Sequence, residues 1–349
     1  MASATPHTIN LALQGGGSHG ALTWGVLDAL LEDDGLTFEG ISGTSAGAMN
    51  AVVLAHGFAQ AAAQEKNAED ACHLGRELAR KALRELWEGV GTMGSVGSLL
   101  WGVPLAGAAS LPIMGVLNQF LSPYQTNPLN INPLRQLLTR VVDFDTLVHP
   151  ENAAVVPKLF VCATNVRTGR GKIFTGEQVT ADAIMASACL PQMFKAVEIE
   201  GEHYWDGGFS GNPALYPLLY ETKSRDILLV QINPKESDNL PDNASEIMDR
   251  MNEVTFNAGL LAELRAIEFV VRLLEQKRLD AGRYKHVLMH RIDGGEVLKP
   301  FGASSKARAD MTLVRDLFEL GRERAQQWLK QNRQHLGVKQ TLRFNENMA

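Results

Sequence analysis

Gly43-Thr44-Ser45-Ala46-Gly47 follows an apolar run (Phe38, Ile41) and precedes a stretch of small, helix-forming residues. A serine between glycines at a strand-to-helix turn has the layout of a nucleophile elbow. The flanking glycines let the backbone turn sharply and keep bulk away from an approaching substrate. Upstream, Gly15-Gly16-Gly17-Ser18-His19-Gly20 ends another apolar run (Ile9, Leu11, Leu13) and opens a second helical stretch. Backbone amides at such a helix start can receive an oxyanion. Together the two segments point to acyl transfer from serine. The bland alternative for Ser45 is a helix N-cap. Gly15, Gly17 and Gly20 also fit the dinucleotide fingerprint, but the second strand lacks the terminal acidic residue that would hold a ribose.

A serine nucleophile needs a base. His7 and His335 lie near the chain ends, and His56 is three turns along the helix that Ser45 opens, too far to reach it. His73, His149 and His203 belong to no recognisable motif. His286 and His290 come after an acidic candidate, as an α/β-hydrolase triad would have it, yet Ser45 follows only two strand candidates and that architecture needs more. Asp206, in Trp205-Asp206-Gly207-Gly208, follows an extended stretch and precedes glycines that suit a tight turn. Taken alone, it reads as an ordinary Asx turn.

These residues must be positioned by alternating elements. Strands are expected at Ile9–Leu13, Phe38–Ser42, Leu159–Thr164, Lys172–Phe174, Val197–Ile199, Ile227–Ile232 and Val287–Ile292. Helices are expected over Ala21–Leu31, Ala46–His56, Asp70–Glu88, Ala181–Ala188, Ala214–Tyr220, Ser245–Leu279 and Lys306–Gln331. Continuous apolar strands such as Ile227–Val230 belong in a sheet covered on both faces, so the pattern predicts an α/β fold with a mainly parallel sheet. Asn212-Pro213 predicts a helix start, with asparagine as its N-cap. After Pro234 the composition turns polar and then amphipathic, which places a boundary there.

A chain of 349 residues with 45% hydrophobic and 21% charged content has the composition of a soluble globular protein. A net charge of −6 gives no electrostatic reason to expect nucleic acid. Cys72, Cys162 and Cys189 form neither a disulfide framework nor a zinc pattern, and no His/Cys/carboxylate cluster has ligand spacing, so no metal or organic cofactor is implied. No basic segment leads into an apolar core near Met1, and the expectation is a cytoplasmic protein. Residues 89–134 carry no charge and are rich in glycine, proline and large apolar side chains. They read as a buried helical pair or an apolar cap over the site that meets lipid; the prolines weigh against a spanning helix.

Four ordered segments, the glycine loop, the Ser45 motif, Ala186-Ser187-Ala188-Cys189-Leu190-Pro191 and Asp206-Gly207-Gly208, resemble those of the patatin-like phospholipases. The resemblance covers about residues 8–232. It implies a three-layer α/β/α fold with a mainly parallel central sheet and a Ser–Asp dyad without histidine. Ser45 would be the nucleophile, Asp206 the base, and the amides of Gly15, Gly16 and Gly17 the oxyanion hole. The Ala186–Pro191 block would shape the pocket near the dyad. The chain departs from the family in carrying His19 where Arg or Lys is usual. The catalytic domain is expected at 8–232, with the uncharged cap or insertion at 89–134, and an α-helical C-terminal extension at 239–349 is expected to pack on it. The expected activity is hydrolysis of lipid acyl esters, with peripheral contact to a membrane and no nucleic-acid partner. A homo-oligomer stays open. An acyltransferase with the same dyad, or a lipid-binding scaffold with little catalysis, are the alternatives.

Overall fold

The computed structural model describes residues 6–96, 122–126, 132–234, 236, 240–301, 305–306 and 308–344. An eight-stranded sheet runs through it: β1 (His7–Leu13), β2 (Leu36–Thr44), β3 (Lys158–Asn165), β4 (Gly171–Phe174), β5 (Val197–Ile199), β6 (Glu202–Asp206), β7 (Asp226–Gln231) and β8 (Leu288–Asp293). The order is β5-β6-β3-β2-β1-β7-β8, with β4 also paired to β3. Strands β3, β2, β1, β7 and β8 are parallel, while β4 and β6 run antiparallel to β3, and β5 to β6.

Alternation along the central strands explains the layers. Side chains of successive residues point to opposite faces. In β7, Leu228 and Val230 join the larger apolar cluster, whereas Ile227 and Leu229 join a second one. The first face is covered by α1 (Gly20–Glu32), α2 (Ala46–Gln64), α3 (Ala68–Val96) and α7 (Met311–Asn332). The second is covered by α6 (Ala244–Glu275) through Leu260, Leu264, Ile267 and Val271. Two shorter helices, α4 (Pro133–Val141) and α5 (Ala181–Ser187), complete the first side. The result is a mostly parallel sheet flanked by helices, with a helical C-terminal region.

The region 239–349 is rich in helix, as expected, and supplies the strand expected at Val287–Ile292 to the same sheet as β8, while its helix α6 covers the second face. One expectation changes here. Asn212 does not cap a helix. The next helical turn begins at Tyr216, and the Asn212 side chain is committed to Gly15 instead. Of the uncharged stretch 89–134, residues 97–121 and 127–131 lie outside the described residues. Among the described residues, no helix is long and apolar enough to cross a membrane.

Candidate active site

Ser45 is the single residue between β2 and α2, and its backbone sits at φ 55°, ψ −122°. A non-glycine residue held there costs on the order of 1–3 kcal/mol, so neighbouring contacts must fix it. They do: the Ser45 N–H donates to Ser187 Oγ at 2.9 Å, and Thr44 Oγ1 donates to the carbonyl of Gly211 at 2.7 Å. Helix α2 also presses against the end of β1. A Cβ on Gly47 would lie 2.1 Å from the Leu13 carbonyl oxygen, so only glycine permits this approach. The Ser45 hydroxyl caps none of the amides of α2. Ser45 as a whole is 9% exposed and stands at the positive end of a 19-residue helix.

The glycine loop follows β1. Gln14 anchors it, its Oε1 accepting the N–H groups of Ile232 and Asn233, both at 2.8 Å. The Gly15 N–H donates to Asn212 Oδ1 at 2.6 Å, and its carbonyl accepts from Asn233 Nδ2 at 2.7 Å. The Gly15 N–H is therefore already engaged by a side chain of the surrounding loop. Gly16 and Gly17 do line the pocket beside Ser45. Gly17 has φ 59°, and a Cβ there would lie 2.4 Å from the Lys306 carbonyl oxygen. His19 points away into a hydrogen bond of 2.6 Å with Ser305 Oγ. Burial, helped by the nearby Lys306 charge, pushes its pKa down to about 3, so it is neutral. The cation at this corner of the pocket is Lys306, which pairs with Glu253 at 3.3 Å.

Asp206 ends β6, opposite Ala163 of β3. Its N–H donates to the Cys189 carbonyl at 2.7 Å, and its own carbonyl accepts from Thr164 Oγ1 at 2.8 Å. Oδ1 accepts the Gly208 N–H at 2.7 Å, so the Asx turn is real, but it occupies one oxygen only. The residue is 0% exposed. Burial raises its pKa to about 7, against the opposing pull of the Gly208 amide and the Ser45 hydroxyl. Oδ2 makes no fully formed hydrogen bond. The Ser45 hydroxyl is near enough to draw the Asp206 pKa down without completing a hydrogen bond to it.

Ser45 and Asp206 share a cavity of about 340 Å³, within the range of small-molecule sites. One wall is apolar, with Met49, Trp87, Val90 and Leu134; Leu190, Met193 and Phe194 form another. Val90 and Leu134 are described ends of the uncharged stretch. The C-terminal region closes the cavity with Met248, Asn252, Phe256, Lys306 and Ala309. Apolar side chains outnumber polar ones around this cavity, which also presents the Ser45 hydroxyl and the Asp206 carboxyl group.

The structure thus brings Ser45, Gly16, Gly17 and Asp206 together and leaves the histidines elsewhere. His56 accepts the Asp143 N–H, and His290 pairs with Asp226 at the far edge of the sheet. Sequence reasoning missed Asn212, Asn233 and Ser187 as supports, together with the pocket residues of α6. Each acts across a long sequence separation, and only Ser187 lay inside a recognised motif.

The family model described as patatin-like phospholipase matches residues 11–219, more than half of the chain. No curated protein matches significantly. Similar solved structures include VipD from Legionella pneumophila, at 16% identity and TM-score 0.38, covering 94% of this chain and 68% of that one. Another is a chain from full-length SpcU in complex with full-length ExoU of Pseudomonas aeruginosa, at 16% identity and TM-score 0.28, covering 93% and 54%.

Proposed function

The chain belongs to the patatin-like phospholipase family, and from that premise we propose that it is a serine acyl hydrolase cleaving lipid esters through a Ser45–Asp206 dyad. The observation that carries this reading is the state of Asp206. It is a buried carboxyl group with a pKa near 7, one oxygen held by Gly208 and the other turned toward a serine on a strained elbow. An ordinary aspartate, with a pKa near 4, is a poor base for a hydroxyl; one raised toward neutrality is a better one.

The chemistry proceeds in two halves. Ser45 Oγ attacks the ester carbonyl carbon while its proton passes to Asp206 Oδ2. The negative charge on the carbonyl oxygen is received by the amides of Gly16 and Gly17, aided by the N-terminus of α2. Collapse of the tetrahedral species breaks the bond to the alcohol, which leaves with the proton from Asp206. Water then attacks the acyl-enzyme, giving its proton to Asp206. The second collapse releases the carboxylic acid and returns that proton to Ser45.

The apolar walls support a fatty acyl chain as the part of the substrate that is bound. Beside the opening, α6 presents Met248 at 49%, Met251 at 59% and Val254 at 54% exposure, which supports contact with a lipid surface. The test is hydrolysis of phospholipid and neutral acyl esters in vesicles by the wild type, Ser45→Ala and Asp206→Ala. The expected outcome is ester cleavage by the wild type and a loss of at least about a thousandfold in both folded variants. Cleavage by Ser45→Ala at the wild-type rate sinks the proposal, and vesicle binding without cleavage by the wild type favours the scaffold reading.

A further inference from the structure

Ser187 does no chemistry in the mechanism above, yet it is wholly buried and its hydroxyl is used twice. It accepts the Ser45 N–H at 2.9 Å and donates to the Cys162 carbonyl at 2.6 Å. Cys162 precedes Ala163, the residue paired with Asp206 across the β3–β6 ladder. Two residues beyond Ser187, the Cys189 carbonyl accepts the Asp206 N–H at 2.7 Å. One turn of chain therefore holds the backbone of both members of the dyad. The same turn continues into Leu190, Met193 and Phe194, which form a wall of the pocket. It is closed on itself by the Met193 and Phe194 amides, each donating to the Leu190 carbonyl at 2.9 Å.

We propose that the Ser187–Cys189 turn is the positioning element of the dyad, with Ser187 as its decisive side chain, and that it links occupation of the acyl wall to the alignment of Ser45 with Asp206. The inference rests on the dyad reading given above. Its physical basis is the strained backbone of Ser45: φ and ψ set where the Cα–Cβ bond that carries Oγ points, and the hydroxyl of Ser187 is what the buried amide bonds to. Without it, the Ser45 N–H and the Cys162 carbonyl both lose a partner, and the elbow relaxes toward an ordinary conformation. Misplacement of a reacting group by about 1 Å is worth on the order of a hundredfold in rate. An acyl chain seated against Leu190 and Phe194 presses on the same turn. Chain-length preference is therefore expressed in kcat, where binding remote from the reaction centre is used to orient the reacting groups.

The experiment compares wild type, Ser187→Ala and Ser187→Thr, with Ser45→Ala as control. It measures fluorophosphonate labelling and hydrolysis of short- and long-chain p-nitrophenyl esters, per folded molecule from unfolding curves. The expected result for Ser187→Ala is a fall in kcat of about tenfold to hundredfold with KM within about twofold, and a loss of the long-chain advantage in kcat. Ser187→Thr, which keeps the hydroxyl, recovers much of both; if the added methyl prevents folding, Ser187→Ala decides alone. Wild-type kcat in folded Ser187→Ala overturns the proposal, as does a loss confined to KM. If the wild type takes no adduct, the dyad reading fails and this inference fails with it; if wild type and Ser187→Ala label equally fast, only the inference fails.

Discussion

Asp206 and Asp226 occupy opposite edges of one sheet, and both are hidden from solvent, at 0% and 2% exposure. Their carboxyl groups nevertheless differ. Asp206 has one formed hydrogen bond to its side chain, from an amide, and burial drives its pKa up to about 7. Asp226 is buried too, but hydrogen bonds from His290 at 2.8 Å, the Gly337 amide at 2.9 Å and His7 at 3.0 Å outweigh burial and hold its pKa below the usual range. Partners, not depth, decide the sign. The C-terminal edge of the parallel strands keeps an under-satisfied acid next to a serine. The N-terminal edge uses a satisfied one to tie β1, β7, β8 and the segment after α7 together. The first arrangement costs stability and, on the function proposed above, serves the reaction; the second contributes to stability.

Asp206→Asn sharpens the contrast most. Turnover should fall by about a thousandfold or more, because the base is gone. Stability should move the other way. The folded carboxyl, with its raised pKa, holds its proton while the unfolded one releases it above about pH 4, so the wild type loses stability as pH rises from there to about 7. The asparagine variant escapes that loss. At pH 8 it should be more stable by on the order of 2–4 kcal/mol, and near pH 4 no more stable than wild type, as urea titration at the two pH values would show. A variant destabilised at pH 8 breaks the comparison.

Asp226→Asn should do the reverse. Removing the charge from a buried network costs about 2–4 kcal/mol, read as a lower unfolding midpoint, while turnover per folded molecule stays unchanged. The lowered pKa places this contribution above the ordinary carboxylate range. It disappears as pH falls below about 4, so the deficit of the variant should close in acid. The smallest effect belongs to His7→Gln. The His7 side chain is 38% exposed, and the pair with Asp226 should be worth under about 1 kcal/mol in the same titration.

The contrast also marks what the sequence makes legible. Both glycine motifs stood out because they punctuate apolar strands at the two turns where backbone must approach backbone, and Asp206 because it precedes two glycines. The apolar runs alternating with helical stretches foretold the sheet, and β7, a continuous apolar run, divides its side chains between the two faces because they alternate along a strand. What stayed hidden is contact across distance. Asn212 looked like a helix cap, because the residue it serves, Gly15, is far away in the chain. Asp226 carries no signal in the sequence, since nothing local announces His7 and His290. The α6 residues facing the pocket share an ordinary amphipathic pattern with those facing the sheet, so the contribution of the C-terminal region to the site had no local signal either.

On the function proposed above, Asp206 activates Ser45 because burial has raised its pKa. The most direct test is the rate of fluorophosphonate labelling from pH 5 to pH 9, read by intact mass, for wild type, Ser45→Ala and Asp206→Asn. The expected result is a single adduct on the wild type, forming faster with rising pH and half-maximal near pH 7. Ser45→Ala should take no adduct, and Asp206→Asn should label slowly without that titration. A wild-type rate already at its maximum at pH 5, or a titration that survives unchanged in Asp206→Asn, contradicts that reading.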